Sequence, residues 1–235
     1  MNIMAIMPQL KTTVLDLLFP LNCIGCGHEG ELICTSCQQS LSWIRPPLCS
    51  KCGIVTDGDD VCSVCRQHPP VADGIRSLFI FEGIIRDAVH QLKYKRLKAM
   101  SVPLGRFLAE YLLSNQVPAD VLVPVPLHPK RLRERGYNQA SLLAYEAGKR
   151  SNIPVSENSI RRTKNTSSQA KTTSAQERRA NVRDAFICTQ KLNGKNVLLI
   201  DDVCTTGATL NACAVSLKEA GADSVWGLTI ARDIV

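Results

Sequence analysis

The chain reads VLLIDDVCTTGAT at residues 197–209. The four apolar residues 197–200 favour a short buried β-strand, and the residues after the two aspartates are mostly small or hydroxyl-bearing around Gly207. Apolar residues recur at helical spacing after residue 209. The pattern predicts a strand, a tight turn and the start of a helix, where backbone N–H groups and the helix dipole favour a bound anion.

The side chains around this turn indicate the kind of ligand. Asp201 and Asp202 are hydrogen-bond acceptors, which suit the hydroxyls of a sugar or a hydrated Mg²⁺. A ligand with both a phosphate and a ribose diol would satisfy the whole site. An ordinary acidic corner or a flavodoxin-like acidic pocket is the alternative, but a buried Asp pair without a ligand is costly. The residues expected to contact the phosphate are Thr205, Thr206, Gly207, Ala208 and Thr209.

This stretch resembles the signature of type I phosphoribosyltransferases, which is four apolar residues, two acidic residues and a loop of Thr and Gly. Cys204 is a mild departure, because aliphatic residues are usual at that position. The resemblance implies that the ligand is phosphoribosyl pyrophosphate (PRPP) bound with Mg²⁺. It also implies that Asp201 and Asp202 are the catalytic residues of a transferase with this signature.

Eight of the eleven cysteines form four C-x₂-C pairs within residues 23–65. Two such pairs complete a closed tetrahedral Cys₄ site, so we expect two structural zinc ions, with an iron–sulfur centre as the minor alternative. Pairing in sequence order is the simplest arrangement, and a cross-braced one is the alternative. The predicted ligands are Cys23, Cys26, Cys34, Cys37, Cys49, Cys52, Cys62 and Cys65.

The positive charge of the chain is concentrated in its middle. The net charge is +7, and residues 121–187 hold 13 Lys and Arg against 5 Asp and Glu, which is +8. Residues 121–126 predict a second buried strand, followed by a compact basic loop where a doubly wound sheet would bind an anion. A solvated basic loop is the alternative. The residues expected to bind pyrophosphate are Lys130, Arg131, Arg133 and Arg135.

Four parts of the chain together resemble the ComF/GntX family of phosphoribosyltransferase-like competence proteins. They are the cysteine module, LKYK at residues 92–95, VPVPLHPKRLRERGYNQA at residues 123–140, and Gln169 followed by ERRANVRDAF at residues 177–186. The resemblance implies an α/β fold, namely a type I phosphoribosyltransferase-like parallel sheet with a hood, preceded by a double zinc-ribbon module. It adds Gln169 to the PRPP site and implies single-stranded DNA and proteins of a DNA-uptake machine as partners.

The chain is predicted to contain an N-terminal helix at residues 1–20, a Cys₄ zinc-ribbon module at 21–70 and a phosphoribosyltransferase-like domain at 71–235. Within that domain, residues 79–92 predict a strand and a helix that form the hood, and residues 161–173 predict a mobile loop over the pyrophosphate. A helix is expected to begin at residues 174–177, where the sequence forms a capping box.

A basic group with one aromatic residue follows the predicted hood helix. This mixture suits single-stranded nucleic acid, which binds through base stacking and phosphate contacts, and a solvated helix face is an equal alternative. The residues assigned to DNA are Lys93, Tyr94, Lys95, Arg96, Arg178 and Arg179.

No apolar run approaches the roughly 20 residues of a membrane helix, and the N-terminal residues lack the features of an export signal. We therefore expect a cytoplasmic protein, with peripheral attachment at the inner face of the cytoplasmic membrane as an alternative. The resemblance implies a PRPP-binding competence protein that assists uptake or handling of single-stranded DNA. An active phosphoribosyltransferase on a nucleobase or related acceptor and a pure interaction adaptor are the alternatives.

Overall fold

The computed structural model describes residues 21–164 and 185–233, so the predicted N-terminal helix lies outside the described residues. The chain divides into two compact units, residues 1–41 and 42–235. The strands are β1 (Gly74–Ile80), β2 (Val121–Pro124), β3 (Ile160–Arg162), β4 (Phe186–Cys188), β5 (Asn196–Cys204) and β6 (Ser224–Arg232). The α-helices are α1 (Thr35–Gln39), α2 (Ser63–Gln67), α3 (Gly83–Tyr94), α4 (Ser101–Ser114), α5 (Pro129–Arg135), α6 (Gln139–Ser151) and α7 (Ala208–Glu219).

Four parallel strands form the main sheet of the second unit, in the order β1-β6-β5-β2. β5 is central, and its residues 197–200 are fully buried, as their apolar character predicts. The strand is longer than the predicted four residues, because its pairing with β6 continues until Cys204 lies opposite Arg232. Asp201 and Asp202 are therefore part of the strand and take their positions from the sheet.

Helices cover both faces of this sheet. Val197 and Leu199 point into a core that contains Leu210, Cys213 and other residues of α7, whereas α6 packs on β2 and β5 and α4 packs on α6. The helices that follow neighbouring strands β2 and β5 thus lie on opposite faces. Such a reversal opens a crevice at the carboxyl ends of the two strands, where sheets of this kind bind ligands.

The strand predicted for the hood belongs to the main sheet. β1 pairs with β6 along most of its length, and α3 follows it. The last turn of α3 brings Lys93 to the carboxyl end of β5, which is the end that the hood was expected to cover. The helix α3 therefore lies where the hood helix was expected. The strand β1 is part of the main sheet and not of a separate hood layer.

Two segments predicted as loops contain regular structure. The basic segment after β2 forms the helix α5, because Pro129 occupies its first turn, the His128 side chain accepts a hydrogen bond from the Lys130 amide, and Gly136 ends it in the left-handed region. The predicted mobile loop begins within β3, which pairs antiparallel with β4. Residues 165–184, which hold most of that loop and the predicted capping-box helix, lie outside the described residues.

The four C-x₂-C pairs are divided between the two compact units. The first two pairs lie in residues 1–41, and the last two lie in the unit that contains the sheet. The domain limits predicted at residues 21–70 and 71–235 differ from this division and stay a prediction. Within residues 21–164 and 185–233, the structure contains no helix that is long and apolar enough to cross a membrane.

Candidate functional site

The two carboxylates at the end of β5 occupy different environments. Asp202 is only 3% exposed, and the Lys93 ammonium lies 2.7 Å from its Oδ1 atom. Its other oxygen, Oδ2, is buried and has no hydrogen-bond partner among the described residues. A buried acceptor without a partner costs about 1–3 kcal/mol. This oxygen is therefore free to accept a hydrogen bond or to contact a cation.

Asp201 is half-buried, and one of its oxygens accepts a hydrogen bond of 2.9 Å from the Asp202 amide. Desolvation and the neighbouring Asp202 charge raise the pKa of Asp201 to about 7, although Lys93 and Arg162 oppose the rise. The acidic pair (Asp201 and Asp202) therefore holds a proton more readily than two exposed aspartates would. A cation that approaches the pair would displace that proton.

Lys93 contacts the acidic pair, although the sequence assigned it to DNA. Its side chain is 19% exposed in the salt bridge. Burial lowers the pKa of Lys93, but the Asp202 and Asp201 charges outweigh that effect and raise it overall. The ammonium is thus held in its charged form beside Asp202. This position makes Lys93 the partner of Asp202 and removes it from the exposed basic group.

The Thr/Gly loop (residues 205–209) follows β5 and includes the first two residues of α7. Together with Asp201 it lines an open cavity. Gly207 has a φ of +76° and precedes the first residue of α7, so the turn needs a residue that tolerates the left-handed region. The first amides of a helix have no partners within the helix, and the Thr206 hydroxyl is 3.4 Å from the Ala208 amide. The predicted strand–turn–helix corner is present, and anion binding there stays a prediction.

The basic residues of α5 are distributed over several surfaces. Arg135 donates a hydrogen bond to Gln139, and its guanidinium lies 5.6 Å from the centre of the Tyr94 ring. Arg131 is close enough to Arg162 to lower the pKa of that guanidinium, after the larger effect of burial. Lys130 and Arg133 are exposed. Arg131 and Arg135 thus have protein neighbours, and the binding of pyrophosphate by these four residues stays a prediction.

Arg162 is a site residue that sequence reasoning missed. It lies at the end of β3, where its guanidinium is 5.5 Å from the centre of the Phe186 ring. The charges of Asp201 and Arg162 affect each other's pKa, so Arg162 lies within the range of electrostatic interaction with the acidic pair. In the sequence, Arg162 belongs to a polar basic stretch, and no feature distinguishes it from its neighbours.

A cation–aromatic surface, composed of Tyr94, Lys98, Arg135 and Tyr137, follows the end of α3. Tyr94 is 68% exposed and lies under Arg135, and the Lys98 ammonium is 5.0 Å from the centre of the Tyr137 ring. Tyr137 also donates a hydrogen bond to the Leu92 carbonyl. This surface includes Tyr94 of the predicted DNA residues, with Lys95 and Arg96 exposed beside it in sequence. Gln169, Arg178 and Arg179 lie outside the described residues.

The cysteines form two clusters whose four sulfurs lie within 4.8 Å of one another. Pairing follows the sequence order and is not cross-braced. The first cysteine cluster is Cys23, Cys26, Cys34 and Cys37, and the second cysteine cluster is Cys49, Cys52, Cys62 and Cys65.

Both clusters fit a tetrahedral zinc ion. Zn–S bonds of about 2.3 Å place the sulfurs about 3.8 Å apart, and the measured separations are 3.5 Å for Cys26 and Cys34 and 3.7 Å for Cys52 and Cys62. Burial opposes ionisation of Cys23, but backbone N–H donors, first that of Cys34, lower its pKa to about 6. A thiolate with such donors is prepared for a metal.

Comparisons with known proteins agree with both halves of this description. A family model for a double zinc ribbon domain matches residues 14–66, and one for a phosphoribosyl transferase domain matches residues 133–232. DNA utilization protein YhgH of Escherichia coli strain K12 is 30% identical over 218 residues, which cover 90% of this chain and 94% of the relative. The chain belongs to the ComF/GntX family.

Two further relatives of this ComF/GntX protein are named as competence proteins. Competence protein F of Haemophilus influenzae is 30% identical over 226 residues, which cover 89% of this chain and 97% of the relative. Competence protein ComFC of Bacillus subtilis strain 168 is 30% identical over 213 residues, which cover 86% of this chain and 85% of the relative. The predicted family and the predicted fold class are confirmed, and the double ribbon supports zinc in both clusters.

Proposed function

We propose that this ComF/GntX protein binds PRPP at the acidic pair and the Thr/Gly loop, and that it handles single-stranded DNA in the cytoplasm during natural transformation. The observation that carries the proposal is the buried Asp202 Oδ2 without a partner, at the head of an anion-binding corner. A ribose hydroxyl or a hydrated Mg²⁺ would satisfy that oxygen, and the loop amides would donate hydrogen bonds to the 5′-phosphate. The names of the relatives support the competence role.

The charges around the acidic pair support the same orientation of PRPP, with its ribose or Mg²⁺ at the aspartates and its pyrophosphate near the arginines. Lys93 neutralises the Asp202 carboxylate, and the raised pKa of Asp201, about 7, leaves that carboxyl only partly charged near neutral pH, so a sugar hydroxyl or a cation meets a site with little net charge. Arg162 is close enough to Asp201 for their charges to interact, and Arg131 is close enough to Arg162; the two guanidinium groups would stabilise the pyrophosphate group. Positive groups held in place before the ligand arrives stabilise its charge most effectively.

Calorimetry with PRPP and Mg²⁺ tests the binding site. Gly207→Ala should weaken binding at least ten-fold, because an alanine at this φ is strained by about 1–2 kcal/mol and its Cβ would lie 3.0 Å from the Ile75 side chain. Gly194→Ala is the matched control, because Gly194 also has a φ of +76° but lies in open space. Equal affinity in both variants would place the ligand elsewhere.

The cation–aromatic surface supports the DNA part of the proposal. An exposed tyrosine under a guanidinium offers a face for base stacking, and stacking is worth about 1–3 kcal/mol per base. Tyr94→Ala should therefore weaken single-stranded DNA binding about ten-fold, and affinity should fall with salt at a slope of about −0.7 per phosphate contact. Tyr145→Ala is the control, because Tyr145 is also exposed and hydrogen-bonds Glu157. Salt-independent binding would contradict the proposal.

Active phosphoribosyl transfer is the second candidate function. A carboxyl with a pKa of about 7 beside the ligand site can exchange a proton near neutral pH, which favours chemistry at a bound nucleophile. The test is pyrophosphate release from PRPP across a panel of nucleobases, with Asp201→Asn as the comparison. Release that depends on Asp201 would make the protein an enzyme, whereas binding without release would make PRPP a regulatory ligand.

A further inference from the structure

The second cysteine cluster is joined to the back of the Thr/Gly loop by one arginine. Arg232, at the end of β6, is 5% exposed. Its Nη1 donates to the Thr205 carbonyl at 3.3 Å, and its Nη2 donates to the carbonyl of Cys52, a ligand of the second cluster. One guanidinium therefore holds a residue of the metal site and the first residue of the loop at the same time.

A second connection runs through Ile75 on β1. Its amide donates to the Lys51 carbonyl at 2.8 Å, so β1 is hydrogen-bonded to the turn between Cys49 and Cys52. The side chain of the same residue faces Gly207: a Cβ built on Gly207 would lie 3.0 Å from Ile75 Cδ1. The turn of the second cluster thus supports the loop both at Thr205 and at Gly207.

The packing between this turn and the sheet is tight. A Cβ added at Gly53 would lie 2.3 Å from the Ile75 carbonyl oxygen, and Arg76 donates a hydrogen bond of 3.0 Å to the Ser50 carbonyl. A turn that touches the sheet so closely cannot shift without moving its neighbours. The position of the turn depends on the four thiolates of the second cluster, because a segment this short is held in place by its metal.

We infer that the second cysteine cluster, acting through Arg232, positions the Thr/Gly loop for its anionic ligand. Arg232 is a positioning residue, since it reaches the carbonyl side of the loop and leaves the amide side for the ligand. Loss of the metal ligands of this cluster releases the loop, whereas loss of the first cluster does not. The expected loss of PRPP affinity rests on the proposed function. The expected release of the loop does not depend on that function.

Hydrogen exchange of the ligand-free, zinc-loaded protein tests the inference, measured by mass spectrometry on peptides that cover residues 204–214. Arg232→Lys keeps the charge but loses the two-armed guanidinium. Exchange of the Asn211 amide, which donates to the Gly207 carbonyl at 2.9 Å, should rise about ten-fold, because the hydrogen bonds from a charged group that hold the loop are lost. The double variant Cys49→Ser, Cys62→Ser should give the same rise. Calorimetry with PRPP should show a matching loss of affinity in both.

Two controls separate this effect from general damage. Arg76→Lys changes an arginine that contacts the same turn at Ser50. Cys23→Ser with Cys34→Ser empties the first cluster. Neither variant should alter exchange of the Asn211 amide. If the double cysteine variant fails to fold, Arg232→Lys alone decides. Unchanged exchange in Arg232→Lys overturns the inference. If the wild-type protein does not bind PRPP, the proposed function fails. The exchange result still decides whether the second cluster positions the loop through Arg232.

Discussion

The two cysteine clusters share a motif and differ in what surrounds them. Each has two C-x₂-C pairs, and each has an amide from its third cysteine directed at the sulfur of its first, at 3.4 Å in the first cluster and 3.3 Å in the second. The first cluster lies in the compact unit of residues 1–41, whereas the second lies in the unit of the sheet and hydrogen-bonds β1.

A repeated metal motif can therefore have different neighbours within one chain. The first cluster gives its small unit the stability that a small hydrophobic core cannot supply. The second cluster does the same for its own turn, and in addition it contacts Arg232 and Ile75 behind the Thr/Gly loop. The two clusters should therefore be distinguishable in solution.

Removal of zinc should give the largest effect. Each ion contributes on the order of 10 kcal/mol to the folding of its ribbon, and elemental analysis should find two zinc ions per chain. Cys34→Ser should leave one ion and preserve the thermal transition of residues 42–235, whereas Cys49→Ser should leave one ion and lower that transition. Identical melting of the two variants would remove the distinction between the clusters.

Breaking the buried ion pair should give the next largest effect, and only in the second unit. Lys93→Met leaves the Asp202 carboxylate buried without its cation, which should lower the free energy of unfolding by about 3–5 kcal/mol. Lys95→Met is the matched control, because Lys95 is exposed and such substitutions usually change stability by less than about 0.5 kcal/mol. Urea unfolding measures both, and a small effect at Lys93 would contradict the observed pairing.

Two glycines provide a direct comparison of the clusters. Gly27 and Gly53 follow the second cysteine of their C-x₂-C pairs, with φ of +77° and +72°. Alanine at Gly27 should cost only the backbone strain of about 1–2 kcal/mol, since a Cβ there meets open space. Gly53→Ala should cost more, because its Cβ would meet the Ile75 carbonyl oxygen at 2.3 Å. Equal losses of zinc affinity and stability would show that the second turn does not pack on the sheet.

Asp201 should give a pH dependence of the stability of the second unit. Its pKa is about 7 in the folded protein, against an ordinary value of 3.8, so the folded state binds more protons between these values. Stability should therefore fall as pH rises from about 4 to about 7 and then level off. Asp201→Asn should remove this decline in urea titrations at pH 5 and pH 8. A decline that persists in the variant would assign it to another group.

The local features of the site could be predicted from the sequence, because they lie within a few residues of one another. The acidic pair, the left-handed turn at Gly207 and the spacing of the metal ligands all follow from short patterns. The strand of the hood could not be assigned, since β1 pairs with β6, which comes last among the described strands.

The residues that support the site could not be predicted either, because they contact it from distant parts of the chain. Arg232 and the Cys52 carbonyl are 180 residues apart in the chain, and Lys93 reaches Asp202 only after the sheet has formed. Lys93 also belongs to a basic group whose other members are exposed. A charge pattern alone does not distinguish a buried partner of a carboxylate from a surface residue.

Phosphorus NMR of PRPP with Mg²⁺, titrated with the wild-type protein, tests the central claim most directly. The 5′-phosphate and the pyrophosphate give separate resonances, so the experiment shows which end of the ligand contacts the protein. Both should broaden in the presence of the wild-type protein, and Gly207→Ala should largely restore the sharp 5′-phosphate resonance. Resonances that stay sharp with the wild-type protein would contradict PRPP binding at the acidic pair and the Thr/Gly loop.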